Sequence, residues 1–285
     1  MFVVYGFEWR PIPGVEERFM CGIAGYSLGP DSTVERTLAA QALLAGIAER
    51  GADAVGYAWR GDRPAIEVTK LRGGASALLD EIALPSSAHQ ALIHVRDFTK
   101  GHPEIAANNH PIRHGSVVGI HNGIIKNDDA LFARYGIERA ESDMTVDSEA
   151  IFALVEHHGH DARALTQLRG AMAAAWMDER DSATLYLARG RLRPLLIGRS
   201  DHELYFASTR RALRIVEAAL RTRLRVHEVR EGRLLRVVQG VIVSQRRFRP
   251  DRRYRDVDYP SPVRAPREAV SCLERLAALA SAAAV

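Results

Sequence analysis

The sequence is poor in the features that mark several whole classes of protein. It has two cysteines in 285 residues, which rules out a disulfide-held secreted scaffold. No apolar run approaches the ~20 residues needed to span a bilayer. The first twenty residues do not form a secretory signal. Their apolar stretch runs only from Phe2 to Phe7, no basic region precedes it, and Glu16, Glu17 and Arg18 stand where a small-residue cleavage site would lie. A cytoplasmic protein with no membrane contact is expected. Lysine is nearly missing, since only Lys70, Lys100 and Lys126 stand among 39 basic side chains. The +4 net charge is local: residues 241–285 hold nine Arg against five Asp and Glu, and the first 240 residues are neutral. The body therefore lacks the basic surface of a nucleic-acid binder, and no nucleic-acid partner is expected.

What is present is ordinary globular material, 47% hydrophobic and 26% charged, enough for one large domain. Residues 21–28 read as an apolar strand. Residues 34–49 carry Leu38, Leu43, Leu44 and Ile47 at helical spacing. Strands are expected at 55–59, 66–71, 91–95 and 116–120, with a short helix at 75–82. The polar segment 97–115 reads as loop. Helices are expected at 128–135, 147–157 and 163–169, with Asp147 or Ser148 as a candidate cap for the second. A series of short strands from 171 to 238 follows, broken by a helix at 211–220. Residues 241–285 read as an Arg/Pro-rich linker and a terminal helix. Strands mixed with covering helices indicate an α+β domain of layered sheets.

Chemistry concentrates in a few segments. They are Cys21-Gly22-Ile23-Ala24-Gly25; Arg50-Gly51 with Asp53 and Gly56; His94-Val95-Arg96 with Thr99 and Gly101; Asn108-Asn109-His110-Pro111; His121-Asn122-Gly123-Ile124-Ile125; and Asp147-Ser148-Glu149. Each is weak alone. A cysteine beside glycines is usually a small core residue, and Asn-Gly is usually a turn. In this order they resemble the class II glutamine amidotransferase domain, an N-terminal-nucleophile (Ntn) hydrolase, and most of all the glutaminase domain of glucosamine-6-phosphate synthases. The resemblance covers roughly residues 21–238.

The resemblance implies a four-layer αββα sandwich with two stacked, mainly antiparallel sheets, formed by residues 21–240. It implies that L-glutamine is hydrolysed to glutamate and ammonia through a γ-glutamyl thioester on Cys21. An α-amino group has a pKa of about 7.7–8.0, so an N-terminal cysteine carries its own base. Asn122 and the Gly123 backbone N–H would be the oxyanion donors. Arg96 would take the α-carboxylate and Asp147 the α-ammonium. Thr99 and His110 would complete the pocket, with Asn108 beside His110. No cofactor is implied. No zinc-type spacing accompanies His157, His158 and His160, which read as a helix end around Gly159.

Three departures shape the expectation. Asp97 and Lys100 stand where the synthase domain has Trp and His, and the loop to His110 is one residue longer. Twenty residues precede Cys21, so residues 1–20 are expected to be an extension or a mis-assigned start. Glu16-Glu17-Arg18 can be encoded by GAG-GAG-CGN, similar to a ribosome-binding site just before Met20. After Gly240 no SGG-x-D loop or DD-containing phosphoribosyl-pyrophosphate motif appears. The ammonia acceptor is expected on a separate synthase chain, and homo-oligomerisation stays open. Two other readings stand beside this one: an amidohydrolase for another γ-glutamyl compound, and a non-catalytic amino-acid-binding homologue.

Overall fold

A computed structural model of the chain describes residues 21–255 and 265–282. Residues 1–20, with the expected extension or start, and 256–264, within the expected linker, lie outside the described residues. Along the chain the elements begin with β1 (Gly22–Leu28), α1 (Arg36–Ile47), β2 (Ala54–Arg60), β3 (Glu67–Arg72), β4 (Gln90–Arg96), β5 (Ile112–His114) and β6 (Val117–Ile125). Then come α2 (Asp128–Tyr135), α3 (Glu149–His158), β7 (Gly170–Asp178), β8 (Asp181–Arg189), β9 (Leu196–Arg199) and β10 (Glu203–Ala207). The last are α4 (Arg210–Ala219), β11 (Arg225–Glu228), β12 (Arg233–Val238), β13 (Val241–Arg247) and α5 (Pro266–Ala282).

The strands form two antiparallel sheets, ordered β11-β9-β10-β1-β4-β2-β3 and β13-β12-β8-β7-β6-β5. Alternation along each strand assigns side chains to layers. In β7, Met172, Ala174 and Trp176 pack beneath α3, while Ala173, Ala175 and Met177 face the other sheet. In β4, Ala91, Ile93 and Val95 pack beneath α1. That period leaves Leu92, His94 and Arg96 between the sheets. Val118 and Ile120 of β6 lie in the same inter-sheet layer, and Asn122 continues their side of the strand. Ile23 of β1 faces inward too, with Cys21 two residues before it. On the outer face of the first sheet, α1 packs against α4 and α5, and Leu43, Leu213, Cys272 and Leu276 join one core. The result is the expected αββα sandwich.

Several segments differ from their sequence reading. Residues 75–82 form two 3-10 turns, Ala75–Ala77 and Leu79–Glu81. Eight residues do not offset helix nucleation, although Leu78, Leu79 and Ile82 are buried as the pattern required. Residues 163–169 likewise reduce to the 3-10 turn Ala164–Gln167. The expected loop 97–115 ends in β5, which pairs with β6. Gly240, the expected domain end, is the second turn residue of a hairpin. Gln239 (φ 47°) and Gly240 (φ 77°) both adopt the left-handed conformation that two-residue hairpins need, and Val238 pairs with Val241. Residues 241–247 are therefore an edge strand, and Phe248 and Tyr254 after it are buried against the body.

Away from Cys21, one arginine ties the sheets together. Arg60, at the end of β2, is 1% exposed. Its guanidinium donates to Gln90 Oε1 (3.1 Å) and to the carbonyls of Asp178 (2.8 Å), Asp181 (3.1 Å) and Thr184 (2.8 Å). Arg60→Ala should lower the unfolding free energy by about 3–5 kcal/mol, because it strands these acceptors and leaves a void. Urea denaturation measures this; a loss under about 1 kcal/mol contradicts the clamp.

Candidate active site

The ends of β1 and β4 bring Cys21 beside Arg96 and Asp97. The Cys21 thiol donates to the Asp97 carbonyl (3.3 Å), and the Asp97 N–H points back at Sγ (3.4 Å). Burial pushes the thiol up to about 11, against the pull of the Asp97 amide and Arg96. Among the described residues no imidazole or carboxylate is hydrogen-bonded to Sγ. The sulfur is thus placed without a side-chain base.

Arg96 is 2% exposed. Its guanidinium donates to Asn109 Oδ1, to the Gly101 carbonyl and to the Lys100 carbonyl (3.0 Å). The RG-x-D motif braces the start of this loop, since Asp53 N–H donates to the Arg96 carbonyl (3.1 Å) and Asp53 Oδ2 accepts from Phe98 N–H (2.9 Å). Asn108, expected beside His110 in the pocket wall, does something else. Its Oδ1 accepts from the N–H groups of Thr145 (2.8 Å) and Val146 (2.9 Å), fixing the approach to Asp147. Thr99 lies exposed on the loop, and the structure does not bring it into the cluster.

Asn122 is fully buried, yet neither its side-chain nitrogen nor its oxygen has a partner among the described residues. The next residue, Gly123, has φ 146° while staying paired with Met172. A Cβ there would lie 2.0 Å from the Ala171 carbonyl, so only glycine fits. Asn-Gly here distorts a continuous strand and does not end it, which is why β6 runs five residues past its expected end.

The Asp147-Ser148-Glu149 step is a bracket across the second sheet. Asp147 Oδ2 accepts from Ile125 N–H (2.5 Å), Ser148 Oγ meets His121 Nδ1 (2.8 Å), and Glu149 Oε1 meets His114 Nδ1 (2.9 Å). Neither Asp147 nor Ser148 caps α3 with its side chain, contrary to the sequence reading, because these bonds use them. Burial raises Asp147 to about 6. Asp147 and Arg96 both act electrostatically on the Cys21 thiol, so the three share one electrostatic environment.

Three histidines lie behind the site, and two of them escaped the sequence reading. His94 Nε2 donates to the His121 carbonyl (3.1 Å), joining β4 to β6 next to Asn122. Burial lowers His94 to about 3, so the ring is neutral. His121 gives Nε2–H to the Ala171 carbonyl (3.3 Å) and accepts from Ser148. His110 stacks on His94 with ring centroids 4.1 Å apart, and its ring nitrogens have no partner among the described residues. The one available signal was alternation, which puts His94 on the same face as Arg96. His160 uses both nitrogens, one against Asp178 (2.7 Å) and one accepting from Trp176 (3.1 Å). Gly159, in the left-handed conformation, ends α3 as expected. A cleft of about 360 Å³ opens beside Asp97, walled by Ala52, Asp53 and residues 265–268 at the start of α5.

This fold, with Cys21 heading a central strand and Asn122-Gly123 on the facing sheet, is the two-sheet sandwich that Ntn-type amidotransferases have. The comparisons make it specific. Residues 98–215 match the family model of the glutamine amidotransferase domain. The glutamine–fructose-6-phosphate aminotransferase (isomerizing) of Oceanobacillus iheyensis is 31% identical over 192 residues, covering 64% of this chain and 31% of that protein. The same enzyme of Bacillus subtilis is 29% identical over 197 residues, with the same coverage. The glutamine phosphoribosylpyrophosphate amidotransferase of B. subtilis, solved with ADP and GMP, superposes with a TM-score of 0.64 at 21% identity, covering 80% of this chain and 49% of that one. Over residues 98–215 the chain is thus similar to glutamine amidotransferase domains. It spans about a third of the length of the curated relatives it matches. Among the described residues no helix is long and apolar enough to cross a membrane.

The buried thiol sets a checkable chemistry. In the chain with Met20 before Cys21, iodoacetamide labelling of Cys21 should rise about tenfold per pH unit from about 7 to 10. Peptide mapping separates it from Cys272. A plateau near pH 8 contradicts the raised thiol.

Proposed function

We propose that the chain hydrolyses L-glutamine to glutamate and ammonia, with Cys21 as nucleophile once it is the first residue. The observation that carries this reading is Asn122, a fully buried amide left without partners on the strand facing Cys21. Such a group is costly unless something enters to use it. The oxyanion of a tetrahedral intermediate, held also by the Gly123 N–H, is the fitting occupant. The raised thiol supports the Cys21 α-amine as base, since no side chain holds the proton. Arg96 grips the α-carboxylate, Asp147 the α-ammonium, and His110 lines the pocket.

The catalytic unit starts at Cys21, with the tail after β13 as an accessory. We infer that ammonia passes to an acceptor on a separate synthase chain. The relatives' names support the transfer, though not the separate chain, since each couples glutamine to an aminotransferase or amidotransferase reaction. A second reading, hydrolysis of a larger γ-glutamyl compound, is favoured by the cleft beside Asp97, where family members place Trp.

Ammonia release by protein beginning at Cys21 is the test. Cys21→Ala should abolish it, and Asn122→Ala should lower kcat about 10²–10³-fold. Because Asp147 must be ionised to hold an ammonium, kcat/KM should fall as pH drops below about 6. Turnover of γ-glutamyl conjugates but not glutamine selects the second reading. No turnover of either overturns both.

A further inference from the structure

Lys100 departs from the family pattern, and the structure gives it two attachments. Its backbone carbonyl is one of the acceptors that orient the Arg96 guanidinium (3.0 Å). Its ammonium reaches to the first turn of α2, 2.6 Å from Asp128 Oδ2 and 3.0 Å from Asp129 Oδ2. That helix directly follows β6, which carries Asn122 and Gly123.

An exposed ion pair would mean little. Here the Asp128 side chain is only 3% exposed, and its oxygen also takes Arg139 (2.9 Å). Arg139 is itself held by Asp129 (2.7 Å) and buried Glu149 (3.1 Å), so the anchor is rigid. The carbonyl acceptors on the loop lie next to a strained turn. Gly101 has φ 80°, and a Cβ there would press on Asn108 at 2.8 Å. Released from α2, the stretch would stay anchored at its ends, by Phe98 N–H on Asp53 and by the His102 and Pro103 carbonyls on Asn108 and Asn109, while Lys100 and Gly101 between them would be held only by Arg96 itself. Arg96 would then keep Asn109 Oδ1 but lose its two fixed carbonyl acceptors, and its guanidinium would be less well oriented.

We propose that Lys100 is a positioning residue for the amino-acid pocket. By pairing with Asp128 and Asp129 it holds loop 97–103 against Arg96, presets the guanidinium for the substrate α-carboxylate, and thereby sets substrate affinity. This rests on the reading of Arg96 as the carboxylate anchor. It assigns the affinity of the pocket to an ion pair, and therefore makes that affinity sensitive to salt. Lys100 touches no reacting atom, so the chemical step is unaffected.

The experiment compares Lys100→Met, close in volume and uncharged, with Lys100→Arg, which keeps the charge, in protein beginning at Cys21. Lys100→Met should raise KM for L-glutamine about tenfold with kcat within about twofold, and Lys100→Arg should restore most of the loss. Wild-type KM should climb between about 0.05 and 1 M NaCl, while that of Lys100→Met should stay flat. Without substrate, amide hydrogen exchange at residues 97–103 should quicken in Lys100→Met and not in Lys100→Arg. The exchange measurement needs no turnover, so it decides the tie even if glutamine is not the substrate. Unchanged exchange, an unchanged KM, a parallel salt dependence in both proteins, or a fall in kcat alone each overturns the proposal.

Discussion

One hydrogen bond joins the two halves of the site. His94, on the strand that ends in Arg96, gives its Nε2–H to the carbonyl of His121, the residue before Asn122. Cys21 and Arg96 lie at the ends of strands in one sheet, and Asn122 and Gly123 lie in the other. Sandwiched sheets touch through side chains, and side chains slide. A directed bond of 3.1 Å in a buried layer does not. Because burial keeps the imidazole neutral, the bond brings no unpaired charge inside. The His110 ring stacked on His94 fills the same layer, and His121 is held from behind by Ser148. The site's geometry follows from this layer of neutral rings, with Arg60 tying the sheets elsewhere.

Within that frame the site is a set of deliberate imbalances. Arg96 is buried among carbonyl and amide oxygens, which orient it without neutralising it. Asp147 is buried with one backbone amide and is raised toward neutrality. The Asn122 side-chain amide has no partner among the described residues. Each is expensive in an empty pocket and cheaper with an α-carboxylate, an α-ammonium and an oxyanion in place. The thiol is the opposite case, stabilised in its neutral form by burial. On the proposed reading it becomes a nucleophile once its own α-amine is free to take the proton.

Much of this was legible in the sequence, and the reasons differ by residue. Motif order located Cys21, Arg96, Asn122 and Asp147, because chemistry restricts residue types at those points. Alternation located the strands that bury both faces. The turn reading of Asn-Gly and the cap reading of Asp147-Ser148 failed for one reason. Local propensity describes a residue's own backbone, and here tertiary partners took over: Met172 across the strand, and Ile125 and His121 across the bracket. Lys100 was visible only as a departure from a pattern. Its partners Asp128 and Arg139 are distant in sequence, and no spacing rule links them.

The proposed reaction is covalent: a γ-glutamyl thioester would form on Cys21 while Asn122 and Gly123 hold the oxyanion. Protein beginning at Cys21 should be mixed with L-glutamine, quenched in acid within milliseconds to seconds, and digested for mass spectrometry. The account predicts one γ-glutamyl group on the Cys21 peptide, absent at Cys272 and strongly reduced in Asn122→Ala. Glutamine consumed with the Cys21 peptide never modified, or a modification unaffected by Asn122→Ala, would contradict it.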